Sequence, residues 1–376
     1  MKFITTSSIF LVLFCSVAAQ QWQNSGFPDV TSVGFVAITG EGDATAAYSD
    51  NTKGPGSAFS DDSGSTWSYN LGGWLNTGIA VNEEGDAIMS TIGKTFLRKG
   101  FDGAWNPLDG KDLTFSQYVE CFGDEDFAVV GDHYPKGPAG EYINGVAVTH
   151  DAGSTWNYFD IGLDAFKYPA RYSNFPSDNV WFVSAGTWVS GPGNIKKIEN
   201  PTERSEWSIN QHFESVNGSF AYKETDLGDN LHFGAIAKSI DGGKTWNKVY
   251  ETDEYYMNMI SCVSEDVCMA VAEQPYEAIV IRTEDGGKTW NNVLTLSDPN
   301  FASLMGCQML SENEVWVSGG TIDKTGLQGW FYHSTDGGKT WDKSMTPGAS
   351  IGLSFKNNVG YSPSMYELHS AINVYK

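Results

Sequence analysis

The sequence predicts an all-β chain closed into a single β-propeller of seven four-stranded antiparallel blades. Three observations predict it. An eight-residue segment, Ser/Thr-x-Asp-x-Gly-x-Thr-Trp, occurs five times without gaps. Short apolar runs stand between the copies, and tryptophans return at intervals of 38, 51, 51, 39, 44 and 51 residues. A period in that range with several short strands per unit is the mark of a propeller blade.

The chain begins with a segment that stands apart from the repeats. Lys2 precedes an apolar run from Ile9 to Val17, and Val17-Ala18-Ala19 supplies small residues suited to signal peptidase. Residues 1–19 are therefore expected to be a secretory signal and residues 20–376 the propeller. No later stretch is long and apolar enough to span a bilayer. The expected product is secreted, or lumenal in the secretory pathway, with no membrane insertion.

The five clear boxes are Ser60–Trp67, Thr149–Trp156, Ser239–Trp246, Thr283–Trp290 and Ser334–Trp341. Each lies between two strand-like runs, as Ala278-Ile279-Val280-Ile281 and Trp290-Asn291-Asn292-Val293-Leu294 flank the fourth. Asp-x-Gly between strands is turn chemistry: the carboxylate accepts backbone N–H groups and glycine takes a positive φ. Thr and Trp then open the next strand, where the indole packs against the adjacent blade. Asp62, Asp151, Asp241, Asp285 and Asp336, with Trp67, Trp156, Trp246, Trp290 and Trp341, are thus read as structural rather than catalytic.

Upstream of the boxes, runs such as Glu314–Gly319, Asn179–Ser184, Asp126–Gly131 and Asp266–Val271 read as buried strands. Phe101–Trp105 keeps the turn of a box and loses its Ser and Thr; Thr202–Trp207 keeps little beyond the tryptophan. Trp22 has no box before it, and the unit starting at Asn358 runs out of chain before reaching one. The N-terminal strand around Trp22 is expected to complete that last unit and close the ring. Counting the seven tryptophans at box positions together with Trp22 gives eight blades; treating the stretch between Trp207 and Trp246 as an insertion gives the preferred seven.

The 46 acidic residues against 23 basic give a formal charge of −23, scattered rather than in runs. Such a field excludes nucleic acid and anionic lipid as natural partners. After the signal, Cys121, Cys262, Cys268 and Cys307 remain. Cys262 and Cys268 flank a short turn and are candidates for a disulfide; Cys121 and Cys307 are left either paired or as small buried apolar groups. Asn217-Gly218-Ser219 is a glycosylation acceptor, so Asn217 is the candidate site. No cluster has metal-ligand spacing, and neither a metal nor another cofactor is expected.

The boxes resemble those of the Asp-box (BNR-repeat) β-propeller superfamily, which includes sialidases, sortilin-type receptors, xyloglucan-degrading enzymes and photosystem II assembly-factor propellers. The Asp-Gly-Gly-Lys-Thr-Trp form of the last three copies is most similar in repeat style to the assembly-factor-like group. The resemblance implies the fold and says little of activity, because one propeller carries many functions. A sialidase-like site would need three arginines to clamp a carboxylate and an early Arg-Ile-Pro motif. Only Arg98, Arg171, Arg204 and Arg282 exist, and the motif is absent. Sialidase chemistry is therefore not expected.

In a propeller, the linkers between blades and the loops joining second to third strands gather on one face. There the sequence places Trp74, Tyr134, Tyr168, Arg171, Tyr172, Trp188, Tyr255, Tyr256, Tyr276 and Trp330, with Asp132-His133 as further polar groups. Converging aromatics stack on sugars or anchor a protein. No nucleophile–base order stands out, so the expected function is non-catalytic: a monomeric binding or scaffold propeller recognising a protein or glycan. The alternative is a glycoside hydrolase working through two carboxylates in the central cleft, which needs no further motif.

Overall fold

The structure is a computed structural model that describes residues 21–27, 32–39, 43–49, 56–71, 76–91, 94–101, 103–108, 116–133, 143–165, 167–189, 215–216, 219–220, 231–323, 326–356, 358–366 and 370–376. A short first strand, β1 (Trp22–Asn24), precedes the blades. Blade 1 is β2 (Ser32–Thr39), β3 (Asp43–Ser49), β4 (Gly56–Ser60) and β5 (Ser68–Leu71). Blade 2 is β6 (Asn76–Val81), β7 (Ala87–Thr91), β8 (Lys94–Arg98) and β9 (Asn106–Pro107). Blade 3 is β10 (Ser116–Cys121), β11 (Phe127–His133), β12 (Ile143–Thr149) and β13 (Asn157–Asp160). Blade 4 begins with β14 (Ala170–Asn174) and β15 (Trp181–Val189). A separate hairpin, β16 (Ser215–Val216) with β17 (Ser219–Phe220), intervenes before β18 (Leu231–Ser239) and β19 (Asn247–Thr252) complete the blade.

Blade 5 is β20 (Tyr256–Cys262), β21 (Cys268–Gln274), β22 (Glu277–Thr283) and β23 (Asn291–Ser297). Blade 6 is β24 (Ser303–Met309), β25 (Val315–Asp323), β26 (Gly326–Ser334) and β27 (Asp342–Pro347). In blade 7 the innermost strand is split into β28 (Ala349–Ser350) and β29 (Ser354–Lys356), both paired with β30 (Val359–Met365), followed by β31 (Ser370–Tyr375). Its outermost strand is β1, with Trp22 opposite Tyr375 and Asn24 opposite Asn373. There are seven blades, every pairing is antiparallel, and no helix occurs among the described residues.

The blade count turns on blade 4. Its four strands carry one box, Ser239–Trp246, so the interval from Trp156 to Trp246 belongs to a single blade. Thr202–Trp207, counted among the tryptophan repeats, falls between the second and third strands and lies outside the described residues. The expected leader 1–19, Trp74, Tyr134 and Asn217 lie outside them as well.

The five boxes share one geometry at the turn between third and fourth strands. Each aspartate accepts the backbone N–H of the box threonine at 2.8–2.9 Å. Its other oxygen accepts that threonine's hydroxyl at 2.7 Å. The hydroxyl of the leading Ser or Thr accepts the N–H of the box glycine at 2.7–2.9 Å. Those glycines, Gly64, Gly153, Gly243, Gly287 and Gly338, have φ between 77° and 88°, a backbone that L side chains rarely adopt. They also face the preceding blade closely. A Cβ on Gly243 would stand 2.9 Å from Phe159 of the blade before and 2.4 Å from the Trp181 ring of its own blade, and one on Gly153 2.2 Å from Leu97 of the blade before.

Seven sheets packed face to face form the core. Tightly packed clusters join neighbouring blades: Val249 with Trp290 in one, Val293 with Trp341 in another, Leu97 with Trp156 in a third. At the seam, Trp22 stacks on Phe331 at 4.1 Å and meets the edges of Trp316 and Phe355 at 6.0 and 5.6 Å. Cys262 and Cys268 form a disulfide across one β20–β21 register pair. Cys121 and Cys307 are not joined to one another and remain free. Burial raises both thiols to about 12, which leaves them protonated and inert as nucleophiles.

Three substitutions probe closure and crowding. Trp22→Ala strips the closing strand of its aromatic anchor and should cost about 3 kcal/mol, read as a lower urea midpoint. Gly243→Ala combines a positive φ with a collision and should cost about 2–4 kcal/mol. Gly162→Ala has φ 70° but nothing within 4 Å of the new carbon, so it should cost only about 1 kcal/mol. Equal losses at the two glycines would refute a role for crowding.

Candidate functional site

The innermost strands of neighbouring blades contact one another around the axis, and each is irregular near the end where the linker enters. The pairing of first and second strands shifts register at Gly34, Thr77, Gln117, Arg171, Asn258–Met259 and Met305. In blade 7 the break between β28 and β29 falls at the same place. A bulge leaves an extra residue unpaired and re-aims its side chain. Seven such irregularities at one level make a belt around the mouth of the axis, on the face opposite the Asp boxes.

Within the belt, blades 3 to 5 bring polar and aromatic groups together. Arg171 donates from Nε to the Gly186 carbonyl at 3.0 Å, and its guanidinium carbon lies 5.8 Å from the centre of the Tyr256 ring. Tyr172 packs against Tyr118 with ring centres 5.3 Å apart. Both tyrosines touch the core of blades 5 and 6, and Tyr118 also touches that of blades 3 and 4. Blade 3 reaches blades 5 and 6 only through the axis, so this pair narrows the channel. Burial holds the Tyr118, Tyr172 and Tyr256 hydroxyls above the ordinary phenol value; they stay neutral and able to donate.

Two carboxylates stand nearby, and each ties one blade to the next. Glu120 accepts the Ser173 hydroxyl at 2.6 Å, the Phe175 N–H at 3.0 Å and the Asn174 amide at 3.3 Å. Glu273 accepts the Ser303 hydroxyl and the Leu304 N–H, the latter at 3.1 Å. Burial raises both to about 7 against the pull of those hydrogen bonds. The same residue pattern, a Glu on one blade holding a Ser hydroxyl and a backbone N–H on the next, serves both interfaces.

The structure places the remaining sequence candidates differently. Tyr168 is buried and donates its hydroxyl to Glu251, while Lys167 lies 5.2 Å over its ring. Trp330 is buried and donates from Nε1 to the Ser303 carbonyl at 2.8 Å. Tyr255 is partly exposed and donates to Glu277; Tyr276, at the β21–β22 turn, is exposed. Trp188 is placed on β15, its side chain lying outside what is described. Arg171, Tyr172 and Tyr256 come together; Tyr118 and Glu273 join them unannounced, with Gln117 at the belt position of blade 3 and Glu120 three residues further along β10. Their signal was positional. Each sits on a first or second strand, near the bulge or opposite the next blade's entry strand, whereas loops supplied the sequence candidates. Among the described residues no group of His, Cys, Asp and Glu is disposed to hold a metal ion.

The two buried carboxylates and the box aspartates set opposite pH limits. A carboxylate raised to about 7 keeps its proton in the fold when the unfolded chain has lost it, so stability should fall as pH rises from about 4.5 to about 7. Asp62, Asp151, Asp285 and Asp336 are lowered to about 2 by the threonine hydrogen bonds. Their contribution is present above about 4 and lost as pH falls toward about 2. Urea midpoints across roughly pH 2–8 should therefore peak near pH 4–5. Glu120→Gln with Glu273→Gln should flatten the upper limb and leave the acid limb unchanged.

The repeat model described as BNR/Asp-box repeat matches residues 332–343. No curated protein matches the chain. Among solved structures, YCF48 bound to a D1 peptide is similar at 11% identity and TM-score 0.57, with 96% of this chain and 98% of that one covered. The β-propeller domain of Cps50 (Swd1) from Myceliophteria thermophila is similar at 10% identity and TM-score 0.57, with 94% and 99% covered. The GH74 xyloglucanase from Xanthomonas campestris is similar at 13% identity and TM-score 0.56; the match covers 92% of this chain and 52% of the xyloglucanase, about half its length. At such identities the likeness is one of fold, and it joins a peptide-bound protein and a hydrolase alike. With five boxes of one geometry and seven closed blades, the chain is a β-propeller of the BNR/Asp-box repeat type.

Proposed function

We propose that this chain is an exported, non-catalytic binding propeller that recognises a protein or glycan through the face on which the inter-blade linkers enter. One observation carries the reading: the two axial carboxylates of raised pKa, Glu120 and Glu273, are each engaged by a hydroxyl and a backbone N–H of the next blade. A general acid must reach a leaving-group oxygen, and a base must reach a water. Here the oxygens are turned to the neighbouring blade. The half-buried Tyr118 and Tyr172 and the exposed Tyr276 remain for contact. A propeller of this fold bound to a peptide supports the use of the fold as a receptor.

The competing reading is a glycoside hydrolase. It is favoured by the same carboxylates, since an acid near 7 suits proton donation at neutral pH. Their hydrogen bonding weighs against it. The purified chain from Gln20 should bind members of a glycan array or a peptide library and show no turnover on a panel of neutral and acidic polysaccharides. Tyr276→Ala should weaken capture roughly tenfold, as expected for an exposed aromatic contact. Turnover that disappears in Glu273→Gln would overturn the proposal.

A further inference from the structure

The belt of bulged residues has one charged member. Gly34, Thr77, Gln117, Asn258, Met259 and Met305 are uncharged, and blade 4 alone contributes a cation, Arg171. It does so in a chain with twice as many acids as bases. The other described arginines have clear structural partners. Arg98 is buried, donates to the Gly85 carbonyl and lies 5.1 Å over the Trp105 ring. Arg282 pairs with Glu284 at 2.9 Å and donates to the Glu312 carbonyl on the next blade. Arg171 is anchored through Nε alone. Among the described residues no carboxylate lies within ion-pair distance of it, and its two Nη groups meet no acceptor. Glu273, in the same mouth, is committed to Ser303 and Leu304.

A guanidinium fixed at Nε holds its Nη groups as a rigid fork, which matches the two oxygens of a carboxylate. The surroundings say what the carboxylate is attached to. The Tyr256 ring is buried beneath the fork, Tyr172, the residue after Arg171, is half-buried and paired with Tyr118, and Gln117 occupies the belt position on the preceding blade. Aromatic faces with neutral hydroxyl and amide donors suit a hydroxyl-rich ring. A surface of charge −23 repels a polyanion, so the ligand carries one acid rather than a row of them. From this juxtaposition we infer that the axial mouth binds a single uronic acid unit at the end of an otherwise neutral glycan, its carboxylate on Arg171 and its ring on the half-buried Tyr172–Tyr118 pair. This rests on the binding reading proposed above.

The decisive experiment alters the ligand before the protein. A trisaccharide ending in glucuronic acid, its methyl ester and its glucose-terminated twin are titrated into the chain from Gln20, with tyrosine and tryptophan fluorescence as readout. The acid should bind roughly ten- to a hundredfold tighter than the ester or the twin, the range of a charge-assisted pair. Arg171→Met should remove that difference, and Arg171→Lys should keep only part of it because the fork is lost. Acid and ester binding alike to the unaltered chain would overturn the inference and leave the binding reading standing. So would a peptide with a free C-terminal carboxylate that binds where every glycan fails. Failure of all glycans and peptides on the arrays would remove both. The comparison of acid with ester needs no variant, so it decides even if Arg171→Met does not fold.

Discussion

A ring of sheets packed face to face is stable only when it has no first and last member. Here that constraint is met by three residues. Trp22, Gln23 and Asn24 pair with β31, so the last blade takes its outer strand from the start of the chain. Without that pairing β31 would present an unpaired edge and the Trp316, Phe331, Phe355 and Tyr375 rings would lose their partner. Every inter-blade contact, and the belt at the axis, presupposes this closure, because the angle between neighbouring blades is set by their number around a closed circle.

Given closure, the two faces of the ring divide the work. The Asp boxes hold the turns between third and fourth strands and seat their glycines against the preceding blade. Their carboxylates are saturated by threonine, which is why they are strongly acidic and chemically idle. The opposite face receives the linkers, and there the entry strands bulge. The buried polar groups of the inner strands are used between blades: Glu273 to Ser303 and Asn258 to the Leu304 carbonyl at that level, Glu120 to Ser173 further along β10. Buried polar groups demand partners, and at a crowded axis those partners are on the next blade. The group left over is Arg171.

Much of this was legible from residue order. The box recurs with its spacing intact because its chemistry is local: a hydroxyl, a carboxylate, a glycine and a threonine satisfy one another within eight residues. The Cys262–Cys268 pair was legible for the same reason, since only a short turn separates them. Blade 4 was harder, because Trp207 mimics a repeat in a stretch between two strands that pair directly, Trp181 opposite Ser239. Tyr168 and Trp330 lay on the expected face yet pack inward, since a loop position does not say which way a ring turns.

By itself, then, the sequence determined the repeat, its turn chemistry, the closing strand and the face opposite the boxes, all of which follow from contacts between residues near in the chain or from period alone. Only the tertiary structure decided the seven-fold count, the inward turn of Tyr168 and Trp330, and the gathering of Gln117, Tyr118, Arg171, Tyr172, Tyr256 and Glu273 at one level. Those residues come from three blades and lie far apart in the chain. They meet because a bulge recurs at the same height on successive entry strands. That coincidence is a property of sheet register around a closed axis, which no local pattern of residues encodes.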